Sequence, residues 1–393
     1  LTGGGTLNLV VNYVRDELVG DWSAFTGTIN VTAKSSSGGD EMRIHNTHGY
    51  ANATIFLNDG VLMDSLVSSA TINIGSLGGT SGAIIGPGNK SSKNPTWVVG
   101  WKNTTNTFDG SIEDDGISSI VKVGTGKWIL TGQNAYSGST TVSNGVLALA
   151  TGTFGDAYVG SSTNFFIASG ATLDVSGQST GTMPLSFGQT LGGSGTVNGI
   201  LDNTSGGTVA PGDGVNIGTL TVTTNINLGG TVVMKINRGN AQKSDELVSP
   251  AISLQGVTVI VTNVGPNLQV NDTFTLFTGA LSGSVGSVIL PSTYYSWDTS
   301  QLAVNGTIKV TAALPLPSIS NIDVSGLAGG SIEINASGAP NGVVNVLATT
   351  NLATPFANWT NVFSGNFDGG GNLNATISVD PTQPQQFYLL QAQ

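Results

Sequence analysis

Short segments in which apolar and polar residues alternate recur along most of the chain. Between residues 6 and 14, every second residue is apolar, namely Leu7, Leu9, Val11 and Tyr13. A period of two places one set of side chains on one face of a β-strand. The same pattern returns at residues 28–31, 53–57, 70–74, 97–99, 171–175, 219–222 and 232–236. Because helical periodicity is nowhere sustained over three turns, the pattern predicts an all-β protein with short strands.

The alternation also predicts which side chains are buried. In the later segments the apolar residues are assigned to the core, and the polar residues between them are expected to face water. This assignment places Asp174, Thr221 and Lys235 on the solvent side. Gly, Asn and Ser turns separate the segments at nearly regular intervals, which is typical of stacked coils of parallel β-structure with about 20 to 25 residues per coil.

One segment, residues 108–149, carries a more specific pattern. Its recurring residues are Lys122, Gly124, Gly126, Leu130, Thr131, Gly132, Asn134, Tyr136, Gly138, Thr140, Gly145 and Leu147. This succession resembles the autotransporter-associated β-strand repeat found in passenger regions of bacterial secreted proteins, and residues 191–222 are more loosely similar to it. The resemblance implies a right-handed parallel β-solenoid (β-helix) that is secreted or held at the bacterial surface. Proteins with this repeat have structural or adhesive roles more often than catalytic ones, so the resemblance also implies such a role.

The sequence predicts a division into a solenoid and a smaller domain. We expect a β-solenoid over residues 1–312, with the repeat at about 108–150 and closing coils at about 245–312. Pro315 and Pro317 make residues 313–318 a stiff linker. Residues 319–393 are expected to form a small C-terminal β-sandwich. Its core is assigned to the aromatic residues Trp359, Phe363, Phe367 and Phe387.

Composition and charge exclude several classes of partner and site. The net charge is -11 with only 12 Lys and Arg residues, which argues against nucleic acid. The chain has no Cys, so it contains no disulfide and no thiolate metal site. No run of about 18 apolar residues predicts a transmembrane helix. Because Leu1 opens directly into a strand pattern, we expect either that a leader has been removed or that this is a mature or truncated form.

The densest acidic cluster consists of Asp109, Glu113, Asp114 and Asp115. Carboxylate oxygens are ligands for calcium, and paired carboxylates catalyse polysaccharide cleavage in some enzymes. The cluster lies in a Gly-bounded turn, however, and the sequence fixes no Lys or Arg beside it. We therefore favour a solvated turn and keep calcium as the one cofactor that the sequence leaves open.

Other candidates for chemistry are weaker. His45 and His48 are the only histidines, and in a strand and loop they would not share a face as zinc ligands. No GxSxG nucleophile motif occurs, and the Gly-rich strings lack the helix and Lys of a phosphate loop. With no catalytic group of residues in view, the sequence predicts a protein that is not an enzyme.

Four aromatic residues are candidates for stacking on sugar rings, namely Trp97, Trp101, Trp128 and Tyr136. Aromatic residues in strand patterns more often fill a core, and we favour that interpretation.

The leading functional hypothesis is an extracellular structural protein, a self-assembling subunit of a bacterial surface fibre or matrix. Its partners would be copies of itself, bound through the solenoid ends and the C-terminal domain, so that function lies near residues 1–13 and beyond Pro317. The alternative is an adhesin that binds surface glycans, or a polysaccharide-degrading β-helix enzyme that uses Asp114 or Asp115.

Overall fold

The structure is a computed structural model that describes residues 1–12, 16–35, 40–45, 49–86, 93–292 and 294–392. It is a parallel β-solenoid of about 11 turns followed by small antiparallel sheets, with almost no helix. The prediction of an all-β solenoid is therefore confirmed. The predicted residues Tyr13 and His48 lie outside the described residues.

The strands of the first half of the solenoid are β1 (Thr6–Val11), β2 (Asp16–Leu18), β3 (Thr28–Ala33), β4 (Asp40–Ile44), β5 (Tyr50–Leu57), β6 (Val61–Ser65), β7 (Thr71–Gly79), β8 (Ile84–Ile85), β9 (Thr96–Val99), β10 (Asn106–Phe108), β11 (Ser111–Ile112), β12 (Ser119–Lys122), β13 (Lys127–Leu130), β14 (Thr140–Val142), β15 (Val146–Gly152) and β16 (Gly155–Asp156). The following strands are β17 (Asn164–Ile167), β18 (Thr172–Gly177), β19 (Thr182–Pro184), β20 (Thr190–Gly193), β21 (Thr196–Asn198), β22 (Ile200–Asp202), β23 (Thr208–Pro211), β24 (Thr219–Val222), β25 (Asn225–Leu228), β26 (Thr231–Ile236), β27 (Glu246–Asn263), β28 (Thr273–Thr275) and β29 (Phe277–Ile289). The last elements are β30 (Tyr295–Asp298), α1 (Leu302–Asn305), β31 (Thr307–Ala313), β32 (Ser318–Asp323), β33 (Ser331–Ser337), β34 (Val343–Thr349), β35 (Thr360–Asn366), β36 (Asn372–Ser378) and β37 (Phe387–Ala392), with 3-10 turns at Leu327–Gly329 and Phe356–Asn358.

Three parallel ladders run through the solenoid. The first ladder stacks β1, β3, β5, β7, β10, β13, β15, β18, β21, β24, β27 and β29. The second ladder runs from β7 through β9, β12, β14, β17, β20, β23 and β26 to β27. The third ladder contains β2, β4, β6, β8 and β11, and its paired strands resume at β19, β22, β25 and β27.

Apolar side chains form columns inside the solenoid because the register of each ladder is kept from turn to turn. One column in the first ladder contains Trp128, Leu147, Leu173, Val197 and Val222, all buried. Complete burial of each such aliphatic side chain contributes about 1.5–3 kcal/mol, so the column is a main source of stability. The period-two alternation in the sequence is what places these side chains inward.

Glycines of the repeat allow successive turns to approach closely at one corner. Gly124 and Gly145 have positive φ angles of 66° and 65°. A Cβ on Gly145 would lie 2.4 Å from Gly124 O, and a Cβ on Gly124 would lie 2.1 Å from Gly100 O. Any other residue would therefore be strained and would collide with the backbone of the preceding turn.

The chain contains two compact units. The first comprises Leu1–Pro266, Phe274–Leu290 and Thr299–Ile308, and it holds the solenoid and α1. The second comprises Asn267–Thr273, Pro291–Asp298 and Lys309–Gln393. The boundaries that we drew at residues 312 and 319 stay predictions.

The second unit contains two three-stranded antiparallel sheets, β32-β33-β36 and β35-β34-β37. They share a core that is largely aliphatic, with Ile334, Val344, Val346 and Ala375 fully buried. Of the four aromatic residues assigned to this core, Phe367 is buried in it and Phe363 packs against it. Trp359 and Phe387 are half-buried outside this cluster, so the aromatic assignment was only half right.

Candidate functional site

Asp109 lies in the loop after β10. Both of its carboxylate oxygens accept hydrogen bonds from hydroxyl groups that belong to later turns of the solenoid. Thr131 Oγ1 donates to Asp109 Oδ1 at 2.6 Å, and Thr153 Oγ1 donates to Asp109 Oδ2 at 2.8 Å. Each bond joins a different turn to the carboxylate. Asp109 therefore serves as a clamp between turns of the solenoid.

Asp114 and Glu113 make structural hydrogen bonds as well. Asp114 Oδ1 accepts hydrogen bonds from the backbone amides of Ser118 and Ser137, both at 2.9 Å. Glu113 Oε1 accepts a hydrogen bond from Ser111 Oγ at 3.2 Å. The Asp114 carboxylate thus fixes its own turn and the next one.

Asp115 differs from the other three because it is buried beside a second carboxylate, Asp64 of β6. Asp115 Oδ1 accepts a hydrogen bond from the Lys93 amide at 3.2 Å, whereas Asp115 Oδ2 is buried without a hydrogen-bond partner among the described residues. Burial, followed by the charge of Asp115 and by the hydrogen bond and charge of Glu41, raises the pKa of Asp64 to about 7, and a backbone hydrogen bond from Ser65 opposes this only in part. Arg43 Nε lies 2.9 Å from Glu41 Oε1 in the same group. The buried position of Asp64 and the neighbouring carboxylates thus favour its protonated form.

The four acidic residues do not converge on one point. In the parts of the chain that the structure describes, no group of three or more His, Asp and Glu side chains is arranged to hold a metal ion. The calcium hypothesis for Asp109, Glu113, Asp114 and Asp115 therefore rests on the sequence alone.

Residues of the repeat are used in bonding one turn to the next. Lys122 is buried, and its Nζ donates to the carbonyl oxygens of Val123, Gly124 and Asn144 at 2.6, 2.9 and 3.2 Å. Burial lowers the pKa of Lys122 to about 8. Together these three hydrogen bonds fix the turn after β12 and join it to the next turn of the solenoid, so Lys122 has a structural role rather than a catalytic one.

A short series of hydroxyl groups crosses the core beside the repeat. The Tyr136 hydroxyl lies 2.7 Å from Thr140 Oγ1, which donates to Ser162 Oγ at 2.9 Å. Ser162 Oγ in turn donates to Gly138 O at 2.8 Å. The buried polar atoms of this series are therefore satisfied within the protein.

Most of the aromatic candidates for sugar stacking are in the core. Trp97, Trp128 and Tyr136 are at most 2% exposed, so they cannot stack on a sugar. Trp101 is exposed, and its Nε1 donates to Asn73 Oδ1 at 3.1 Å. His45 is exposed just after β4.

A cavity of about 390 Å³ opens at the third ladder, between Tyr158 and β19. Gln133 and Tyr158 form a parallel bridge there, before the paired strands resume at β19. Buried Leu149, Phe165 and Met183 contribute apolar lining. Sequence reasoning missed this cavity because it depends on an interruption of the ladder rather than on a motif.

The first and last strands of the first ladder each pair on one side only within the part of the chain that the structure describes. Among the described residues, β29 pairs with β27 alone and β1 pairs with β3 alone. The turn after α1 covers the first residue of β29, because the carbonyl oxygen of Gly306 accepts a hydrogen bond from the Phe277 amide. Most of the remainder, residues 278–289, is exposed and carries no charged residue and no proline.

No helix among the described residues has the length and apolar character needed to cross a membrane.

Comparison with known proteins agrees with the repeat that the sequence indicates. Residues 120–149 match the family model described as a passenger-associated-transport-repeat. A protein described as "Adhesin BmaC autotransporter", from Brucella suis biovar 1 (strain 1330), is 29% identical over 259 residues. The matched region is 65% of this chain and 6% of that relative, so the chain spans only a small part of it. The resemblance to passenger-type repeats of autotransporters is confirmed over residues 120–149, and both matches support a bacterial protein that is secreted or displayed at the cell surface.

Proposed function

We propose that this adhesin-like passenger segment is a non-enzymatic structural element that self-assembles by stacking solenoid ends into a surface fibre or matrix. The observation that carries the proposal is the free edge of β29. Natural β-proteins protect edge strands with charges, prolines, bulges or covering elements. Strand β29 is one of the longest strands in the chain and has neither charge nor proline, and the shifts of register in its pairing with β27 are its one protective feature beyond its first residues.

Strand β1, the first described strand of the same ladder, offers an edge of the same kind. It has no charged residue, and its partner β3 pairs with it in parallel, in the same way that β27 pairs with β29. Asn8 accepts a hydrogen bond from Asn30, which accepts one from Asn58. Asn8 Nδ2 has no partner among the described residues, so the asparagine ladder can extend by one more member.

Stacking β1 of one copy on β29 of another would continue the parallel ladders across the junction. Such a contact joins two different surfaces, so it does not close on itself and generates open-ended assemblies. Main-chain hydrogen bonds would supply much of the affinity, as they do wherever a strand is added to a sheet edge.

The non-enzymatic part of the proposal is supported by how the acidic residues are used. A general acid or nucleophile needs a carboxylate that can reach a substrate. Asp114 is held by two backbone amides, and Asp115 is buried. The relative described as an adhesin points in the same direction.

Electron microscopy and mass photometry over a range of protein concentrations test the assembly. We expect open-ended stacks that grow with concentration, and we expect the double variant Ser282→Lys/Ser284→Lys to suppress them by placing charge on the exposed part of β29. Asn164→Lys/Ser169→Lys is the matched control, since it adds the same two charges at exposed positions in the middle of the solenoid. Monodisperse monomers at every concentration, with and without calcium, would contradict the proposal, as would equal assembly of the double variant.

A further inference from the structure

The cavity beside Tyr158 has the features of a small-ligand site on the side of the solenoid. Its volume of about 390 Å³ falls within the range of small-molecule pockets, about 300–1,000 Å³. Tyr158 is 51% exposed, and its hydroxyl has no hydrogen-bond partner among the described residues. The ring rests on Gly160, because a Cβ there would lie 2.4 Å from Tyr158 Cζ. A glycine at this position thus lets the aromatic ring lie close to the backbone.

Polar groups of fixed orientation line the same cavity. Gln133 Nε2 donates to Asp156 O at 2.6 Å, and Gln178 Nε2 donates to Ala157 O at 2.7 Å. Each amide is anchored by its nitrogen, which leaves its Oε1 as an acceptor for a ligand. Preset acceptors beside an apolar floor are the usual means by which a pocket orients a small ligand.

The charge of the lining restricts the ligand. Asp156 is the only ionisable acid among the lining residues, and no Lys, Arg or His lines the cavity. Hydrogen bonds from Ser179 and Thr151 lower the pKa of Asp156, so its carboxylate is ionised at neutral pH. Phosphates, uronates and other anionic ligands would meet a negative charge with no cation to offset it.

We propose that this cavity binds a sugar residue of an uncharged glycan, with the ring of Tyr158 as its stacking platform. A pyranose has an apolar C–H face that fits an aromatic ring and hydroxyl donors at its edge that fit the amide acceptors of Gln133 and Gln178. A lipid chain would leave these acceptors unsatisfied, at a cost in affinity. The inference goes beyond the proposed assembly, because the site lies apart from the solenoid ends.

Saturation-transfer NMR and titration calorimetry with maltotriose, lactose, mannotriose and tri-N-acetylchitotriose test the site, with trigalacturonate as the charged comparison. We expect at least one uncharged sugar to bind and trigalacturonate to bind at least about tenfold more weakly. Tyr158→Ala should weaken binding by about tenfold or more, whereas Tyr158→Phe should retain most of it because the ring remains. Gly160→Ala should also weaken binding, since its Cβ displaces the ring.

Phe187→Ala is the matched control, because Phe187 is 88% exposed and does not line the cavity. Circular dichroism establishes that each variant is folded before binding is compared. The inference is overturned if none of the four uncharged sugars binds at millimolar concentration, if Tyr158→Ala binds like the unaltered protein, or if trigalacturonate binds equally well. Assembly is measured separately by microscopy, so loss of sugar binding with intact stacks rejects this site alone, and the reverse result rejects the proposed assembly alone.

Discussion

Replacing Asp64 by Asn should change how the stability of the solenoid depends on pH. Asp64 is buried on β6 near Asp115 and Glu41, and its pKa is raised from 3.8 to about 7. Below pH 3.8 the carboxyl is protonated in both the folded and the unfolded chain, so its burial carries no ionisation penalty. As the pH rises to 7, the unfolded chain ionises first and the folded state loses stability. Asn cannot ionise, so this loss is absent from the variant.

The size of the effect follows from the pKa difference. At about 1.4 kcal/mol for each pH unit, a change from 3.8 to about 7 corresponds to about 4 kcal/mol as an upper value. The unfolding free energy of Asp64→Asn minus that of the unaltered protein should therefore increase by up to about 4 kcal/mol between pH 3 and pH 8. The increase should fall mainly between pH 4 and pH 7.

Guanidinium unfolding over this pH range, together with hydrogen exchange of the β4 and β6 amides, measures the effect. Exchange is needed because solenoids can open locally rather than in one transition. Asp213→Asn is the control of opposite sign, since hydrogen bonds from the Asn216 side chain, the Asn216 backbone and the Val215 backbone lower the pKa of exposed Asp213 to about 2. Its variant should lose stability relative to the unaltered protein as the pH rises from 2 to 4. A stability difference for Asp64→Asn that stays constant from pH 3 to pH 8 would refute the reasoning.

Two further substitutions test the buried polar groups that join the turns. Lys122→Met should lower the unfolding free energy by about 2–4 kcal/mol, because three carbonyl oxygens lose their hydrogen-bond donor. Thermal unfolding measures this loss, and a change below about 0.5 kcal/mol would contradict the prediction. Asn203→Ala should lower the free energy of unfolding, measured with denaturant, by about 2–4 kcal/mol. Asn203 is fully buried, and its side chain accepts a hydrogen bond from the Gly229 amide and donates hydrogen bonds to the Gly207 and Thr231 carbonyl oxygens. Equal stability of the variant and the unaltered protein would show that water replaces these bonds.

The alternating pattern predicted the strands of the solenoid, because a strand with one buried face leaves a period of two in its local sequence. Val11 is buried and Val10 is exposed in β1, as the period of two requires. The prediction that Lys235 faces water was wrong. Lys235 is buried and its Nζ lies 2.8 Å from Asp245 Oδ2, because residues at the end of β26 are covered by a neighbouring segment. Asp174 was also placed in water, yet it is largely buried and pairs with Lys127 at 2.9 Å.

Candidate sites were harder to predict than the fold because they depend on contacts between turns. All five residues of β4 are buried, including Glu41 and Arg43, so a reading that assigns one face of each strand to water fails there. The acidic residues at 109–115 were recognised from the sequence, but their partners come from other turns, and Asp64 was not suspected. Tyr158 carries no motif, and only the interrupted third ladder makes it a candidate.

The register of the first ladder has a consequence for how this protein reaches its folded state. Thr6 pairs with Thr28, and Thr28 pairs with Thr54, so each pairing joins residues only about one turn apart in sequence. Closing such short loops costs little entropy, and each completed turn needs only its neighbour as a template. The solenoid can therefore fold one turn after another, because each folded turn presents a paired strand edge on which the next turn forms.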